Sequence, residues 1–242
     1  MCVHTVLRKE VIILMKSYSA AQLQGKLRIA SDNMALFYQA DFINYRGRTS
    51  DTDEFYTEII AEWLLEHFNL LEQIPTIRRN SSYRIESHDG IPDTPDSNRE
   101  EELLAMAMFS QKTLPIVGRI LDYQTPLKSK RTDKAGKIDI LSYDGECVRV
   151  LELKKPESEE TMLRCVLEGY TYMKTADLAK LLLDFDLSAD TAVRACPFVV
   201  IDGAQHQEIK EGRPQLQRLM DKLNITPLYY VEDNQKFDVV EG

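Results

Sequence analysis

Gly136-Lys-Ile-Asp139-Ile-Leu-Ser-Tyr143, then Asp144-Gly145-Glu146, then Cys147-Val-Arg-Val-Leu-Glu152-Leu-Lys154-Lys155-Pro156, is the stretch on which the fold turns. Two largely apolar runs flank an Asp-Gly pair, the local signal of a hairpin with strands over Lys137–Tyr143 and Cys147–Leu153. Residues two apart on a strand point to the same side, so Glu152 and Lys154 emerge together, and pairing across the turn can bring Asp139 alongside them. Two carboxylates and a lysine at the end of otherwise apolar strands are costly unless paired or bound to a cation. Hard oxygen donors of this kind suit Mg²⁺, which keeps its waters and takes one or two carboxylates plus a phosphate.

Working outward, Pro115 to Leu127 reads as a preceding strand through Ile116, Val117, Ile120 and Leu121. Before it, Ser97-Asn98-Arg99-Glu100 fits a capping box opening a helix that runs to about Gln111. After the hairpin come a helix from Ser158 to about Ala176, another through Leu187, and a short buried strand from Pro197 to Ile201. A helix from about Gln207 to Leu223 and a strand pair, Leu228–Val231 and Phe237–Val240, close the chain. The order from Ser97 is helix, three strands, helix, strand: an α/β protein with a mixed central sheet flanked by helices. Asp89 to Ser97 is dense in turn formers and marks a boundary. It separates a mainly helical N-terminal extension, 1–96, from a domain over 97–242. Within the extension, Thr52 to about Leu71 reads as one amphipathic helix packed on its Trp63 face.

Composition limits what such a protein can do. Of 242 residues 43% are hydrophobic, enough for a real core, and the formal net charge of -9 argues against a nonspecific nucleic-acid coat. The apolar run Val11 to Met15 is far shorter than the roughly 20 residues of a membrane span. The four cysteines form no CxxC pair, which points to a reducing, cytoplasmic setting and away from disulfides or structural zinc. There is no HExxH, no GxxxxGK[ST], no GxGxxG and no GxSxG, which disfavours zinc hydrolases, P-loop and Rossmann proteins and α/β-hydrolases.

Asp139 followed by Glu152-x-Lys154 on the next strand resembles the PD-(D/E)xK nuclease superfamily, which includes restriction endonucleases and Holliday-junction resolvases. The resemblance covers residues 97–203 and implies an α-β-β-β-α-β core. It implies a Mg²⁺- or Mn²⁺-dependent nuclease in which Asp139 and Glu152 hold the metal and Lys154 orients the attacking water. The junction-resolvase branch carries E-x-E-L-[L/I] on its first core helix, and Glu100-Glu101-Glu102-Leu103-Leu104 matches it. That puts Glu100 in the site, on the face of Leu103, Leu104 and Ala107, with Glu101 as its substitute. Glu100 as no more than the capping-box partner of Ser97 stays open. On the helix after the motif many relatives place a polar residue, often Gln followed by Tyr. Here Arg164, Glu168 and Tyr172 stand in that region, and a plain Arg164–Glu168 surface pair is the alternative.

The acidic total has one local exception. Lys128, Lys130, Arg131, Lys134 and Lys137 lie within ten residues that hold a single acid, Asp133, in the connection leading to Asp139. The run reads as a solvated loop or as the path of a phosphate backbone. Arg78, Arg79 and Arg84 are further candidates. The partner expected is therefore nucleic acid, DNA before RNA, with no membrane; many relatives dimerise to cut both strands, so a homodimer is in keeping with the resemblance. The contrasting class is a module that keeps the fold and binds nucleic acid, nucleotides or protein without turnover.

Overall fold

The structure is a computed structural model and describes residues 17–91, 99–234 and 236–241. The apolar run at 11–15 and most of the turn-rich boundary, including Ser97 and Asn98, lie outside the described residues.

Seven strands form one sheet in chain order, β1 (Thr113–Leu114), β2 (Gly118–Pro126), β3 (Lys137–Tyr143), β4 (Cys147–Leu153), β5 (Ala192–Val200), β6 (Leu228–Asp233) and β7 (Lys236–Glu241). Pairing is antiparallel from β1 to β4, parallel for β4–β5 and β5–β6, and antiparallel again for β6–β7. Helices α5 (Met162–Thr175) and α6 (Leu178–Asp184) make the first crossover, α7 (Ala204–Lys210) and α8 (Pro214–Leu223) the second. Parallel neighbours need such crossovers, whereas the β3–β4 pair needs only its tight turn. That turn is built by Gly145 at φ 106 and by Asp144 Oδ1, which accepts the N–H groups of Glu146 at 2.9 Å and Cys147 at 2.8 Å.

Strand alternation divides the interior. On β4, Val148 and Val150 join one buried cluster with α5 and α8, while Leu151 and Leu153 join another with Ala105, Met106 and Met108 of α4 (Glu100–Ser110). The first cluster also takes in Leu23 and Leu27 of α1 (Ala20–Ala30), Phe37 and Phe42 of two short 3₁₀ segments, and Trp63 of α2 (Tyr56–Glu66). The N-terminal residues therefore share a core with the sheet. α1 is opened by a capping box between Ser19 and Gln22, and Glu58 of α2 accepts the N–H groups of Gln215 and Leu216, each at 3.0 Å, at the start of α8.

Several sequence readings are corrected. The helix expected over Thr52 to Leu71 starts only at Tyr56 and stops at Glu66. The next residue, His67, leaves helical geometry, and a separate turn, α3 (Asn69–Glu72), follows. The strand expected from Pro115 begins at Gly118, because Ile116 (φ 64) and Gly118 (φ 75) carry a reversal that returns the chain from β1 to β2. The helix expected from Ser158 starts at Met162, after Thr161 caps it. The buried strand expected from Pro197 starts at Ala192, recruited by its parallel ladder with β4. The single helix expected from Gln207 to Leu223 is two, divided by Gly212 (φ 86) and by Pro214 at the first position of α8. α4 has Arg99 at its N-cap position with no side-chain cap, and the Ser97 partner of the expected capping box lies outside the described residues.

Candidate active site

Extending the β3–β4 register from Ile140↔Leu151 by one step sets Asp139 opposite Glu152 across the ladder. Asp139 is fixed at both oxygens: Oδ1 accepts from Gln124 Nε2 on β2 and Oδ2 from the Leu153 N–H on β4, both at 3.0 Å. Lys154 follows directly after β4. Its N–H donates to the Phe198 carbonyl on β5 at 3.0 Å, and its carbonyl accepts from Tyr230 Oη on β6 at 2.8 Å. Backbone so held leaves the lysine side chain little freedom.

The Lys154 ammonium, with a side chain only 6% exposed, stands 2.8 Å from Glu152, 3.0 Å from Glu160 and 3.8 Å from Glu168. Glu168 is in turn oriented by α5 itself. Arg164 Nε donates to Oε2 at 3.1 Å and Tyr172 Oη to Oε1 at 2.8 Å. The Arg164–Glu168 pair expected from i,i+4 spacing thus forms, and it is largely buried beside Lys154 instead of lying on the surface. α5 comes this close because Gly169 faces β4: a Cβ there would lie 3.3 Å from Glu152 Cβ.

The electrostatics follow from burial. Asp139 is pushed up to about 7 by burial, which the Lys154 charge opposes and Glu101 reinforces. Burial likewise carries Glu152 well above the usual carboxylate range, against the pull of Lys154. Burial disfavours the Lys154 ammonium, but Glu152 and its other acidic neighbours outweigh that and hold its pKa above the ordinary lysine value. Within the cluster itself the four acids Asp139, Glu152, Glu160 and Glu168 gather about two cations, Lys154 and Arg164, a local surplus of two negative charges when all are ionised. Glu152 Oε2 is buried without a hydrogen-bond partner, an orphan that normally calls for an ion or water.

That surplus and the orphaned oxygen fit a divalent cation held by Asp139 and Glu152, in line with the one or two carboxylates Mg²⁺ takes. Among the described residues no three His, Cys, Asp or Glu side chains converge as a metal cage, so the rest of the coordination shell would be water and substrate.

A cleft of about 760 Å³ opens beside Asp139 between the start of α4, Gln124, and the loop from Lys155 to Glu160. Its wall carries seven carboxylates against three cations, Arg99, Lys137 and Lys155. Glu100 lies on this wall with a 61% exposed side chain paired to Lys155, so it turns to the rim and not inward as its helix face suggested. Glu101 is the inner of the two: its Oε1 accepts the Lys155 N–H at 3.4 Å, and its charge reaches Asp139.

The basic loop is exposed at Lys128, Lys130, Arg131, Lys134 and Lys137. Asp133, its one acid, is spent on the turn, accepting the N–H groups of Ser129 at 2.9 Å and Lys130 at 2.7 Å. Lys137 lines the cleft, and Lys134 lines a small cavity with Tyr38 and Tyr172. Arg79 is bound to the carbonyls of Ser82 and Lys128, and Arg84 to Asp186, while Arg78 is exposed.

Four contributors escaped the sequence reading. Gln124 and Tyr230 act from strands that carry no motif, and Glu160 sits in a loop read as helix. Tyr38 comes from the extension, where its Oη bonds Tyr172 Oη at 3.4 Å and its ring lies 5.0 Å from the Arg164 guanidinium. No pattern near these residues singles them out; only the placement of Gln124 opposite Asp139 could have been read from strand pairing.

The class defined by fold and site is an α/β protein with a seven-stranded mixed sheet and a buried acid–lysine cluster beside an acidic cleft. No protein-family model, curated protein or solved structure matches the chain. Among the described residues no helix is long and apolar enough to cross a membrane.

Proposed function

We propose that this chain is a metal-dependent nuclease with a restriction-endonuclease-like core, hydrolysing phosphodiester bonds in nucleic acid, with DNA as the preferred substrate. The observation that carries the reading is the orphaned, buried Oε2 of Glu152 beside Asp139, in a cluster with more acids than cations. A divalent ion there would lower the pKa of a bound water and neutralise charge developing on the phosphate. The chain's own part is to hold that geometry. Gln124 and the Leu153 N–H keep the Asp139 carboxylate fixed, and Glu168, braced by Arg164 and Tyr172, steadies Lys154. Lys154 supplies a positive point charge to orient the nucleophile and the phosphate oxygens.

Incubation with duplex and single-stranded DNA and RNA in Mg²⁺ or Mn²⁺ tests the reading. Cleavage by the wild type that is lost in Asp139→Asn and Lys154→Ala supports it; no cleavage, or equal cleavage by the variants, refutes it. The enclosure of Lys154 by three carboxylates favours a second reading, a nuclease-fold module that binds without turnover. Mn²⁺ calorimetry separates the two, since only the first requires metal binding that depends on Glu152.

A further inference from the structure

The loop between β4 and α5 carries Glu160, and this residue belongs to both the cleft wall and the lysine cluster. Glu152 and Glu168 meet Lys154 from the sheet and from α5, and neither lines the cleft. Glu160 is thus the acid on the open side of the ammonium. Its Oε2 lies 3.0 Å from Lys154 Nζ yet is buried without a hydrogen bond, an ion pair lacking hydrogen-bond alignment. Its backbone, in contrast, is fixed. Gln205 Nε2 donates to the Glu160 carbonyl at 2.7 Å and to the Ser158 carbonyl at 3.2 Å. Beyond it Thr161 donates its N–H to Asn44 Oδ1 at 2.7 Å and its hydroxyl to the Ile43 carbonyl at 2.8 Å, and before it Glu159 pairs with Arg46. What can move is the Glu160 side chain, by rotation, with the loop left in place.

We propose that Glu160 is an anionic plug, its carboxylate occupying the position on Lys154 that a substrate phosphate oxygen takes, so that substrate must displace it to engage the lysine. The identity of the displacing group as a phosphodiester rests on the nuclease reading; the plug itself does not. A carboxylate and a phosphate compete for the same donor, and the like charges repel. The plug therefore raises the substrate concentration needed without altering the bound reaction geometry, which is a cost in KM and not in kcat.

Glu160→Gln tests this, since it keeps the volume and leaves the backbone bonds from Gln205 untouched. In metal-free protein, the rate at which acetic anhydride labels Lys154, read by peptide mass spectrometry, should rise about five-fold, the upper range for a partly exposed ion pair. Glu160→Ala should raise it at least as much. Unchanged labelling in both variants overturns the plug, whatever the enzyme does. In parallel, cleavage of duplex DNA by Glu160→Gln should show KM lowered about five-fold with kcat little changed. An equal fall in KM for Glu157→Gln, an exposed acid on the same cleft wall, would show general charge relief and overturn the specific role. Faster labelling with no cleavage by any form leaves the plug standing and removes the nuclease reading.

Discussion

Asn44 accepts the backbone N–H of Thr161 through its side-chain oxygen at 2.7 Å, joining residues 117 positions apart. Thr161 is the N-cap of α5, its hydroxyl accepting the Arg164 N–H at 3.1 Å, so the extension fixes the start of the helix that bears Arg164, Glu168 and Tyr172. Asn44→Ala strands that N–H and should cost about 1–2 kcal/mol, seen as a lower urea midpoint at unchanged m value.

Asp139 gives the metal-free protein a specific pH response. Its folded pKa of about 7 stands above its ordinary 3.8, so the folded state binds more protons between those values. Stability from this group is full below about pH 4 and is lost as pH rises toward 7. Asp139→Asn removes that loss and should gain about 2 kcal/mol over the wild type at pH 8, with little difference at pH 4. Urea titrations at the two pH values check the sign. Mn²⁺ should bind more tightly as pH rises to about 7, with proton release on binding.

Lys154 balances buried acids, so its loss is structural as well as functional. Lys154→Ala should destabilise by about 3 kcal/mol, because Glu152 and Glu168 are left without their shared cation. Glu152→Gln, which removes one acid from a cluster with more acids than cations and keeps an oxygen for Lys154, should cost less than about 1 kcal/mol. Thermal melts of the pair give the comparison, and the reverse order would contradict the charge balance.

Two helical glycines should respond in opposite directions. Gly25 on α1 has open space where a Cβ would stand, and Gly25→Ala should stabilise by about 0.5–1 kcal/mol. Gly169 on α5 lies against Glu152, and Gly169→Ala should destabilise by about 1 kcal/mol as α5 is pushed off β4. Denaturant midpoints decide between them.

The exposed basic loop should act through salt-dependent attraction. Replacing Lys128, Lys130 and Lys134 by Gln should weaken binding to any DNA duplex about equally and flatten the plot of log affinity against log salt, by about one unit per lost phosphate contact. Anisotropy titrations over a range of salt in Ca²⁺ measure it.

What the sequence disclosed, and what it hid, divides along one physical line. Strands β3 and β4 match their expected bounds, because the apolar runs and the Asp144-Gly145 turn are local signals. The helix bearing Glu168 was likewise visible from its periodicity, to within a few residues. Strand β5 was read five residues short, since Ala192 to Cys196 become strand through a parallel neighbour distant in the chain. The same distance hid Tyr38 and Tyr230 from the site, whereas Gln124 and Glu160 lie close to it in the chain and were missed because no motif marks them. Glu100 was placed inward on helix-face geometry, but the exposed ammonium of Lys155 draws it outward.

Sheet order equal to chain order has a kinetic consequence. Strands β1 to β4 form a meander that closes through near neighbours, so the Asp139–Glu152 juxtaposition is available early and cheaply in loop entropy. The two backbone anchors of Lys154 arrive later, the Phe198 carbonyl with β5 after the first crossover and the Tyr230 hydroxyl with β6 after the second. A nascent chain therefore presents its acid pair before its lysine is seated, and the full cluster is assembled only when the last third of the polypeptide has docked.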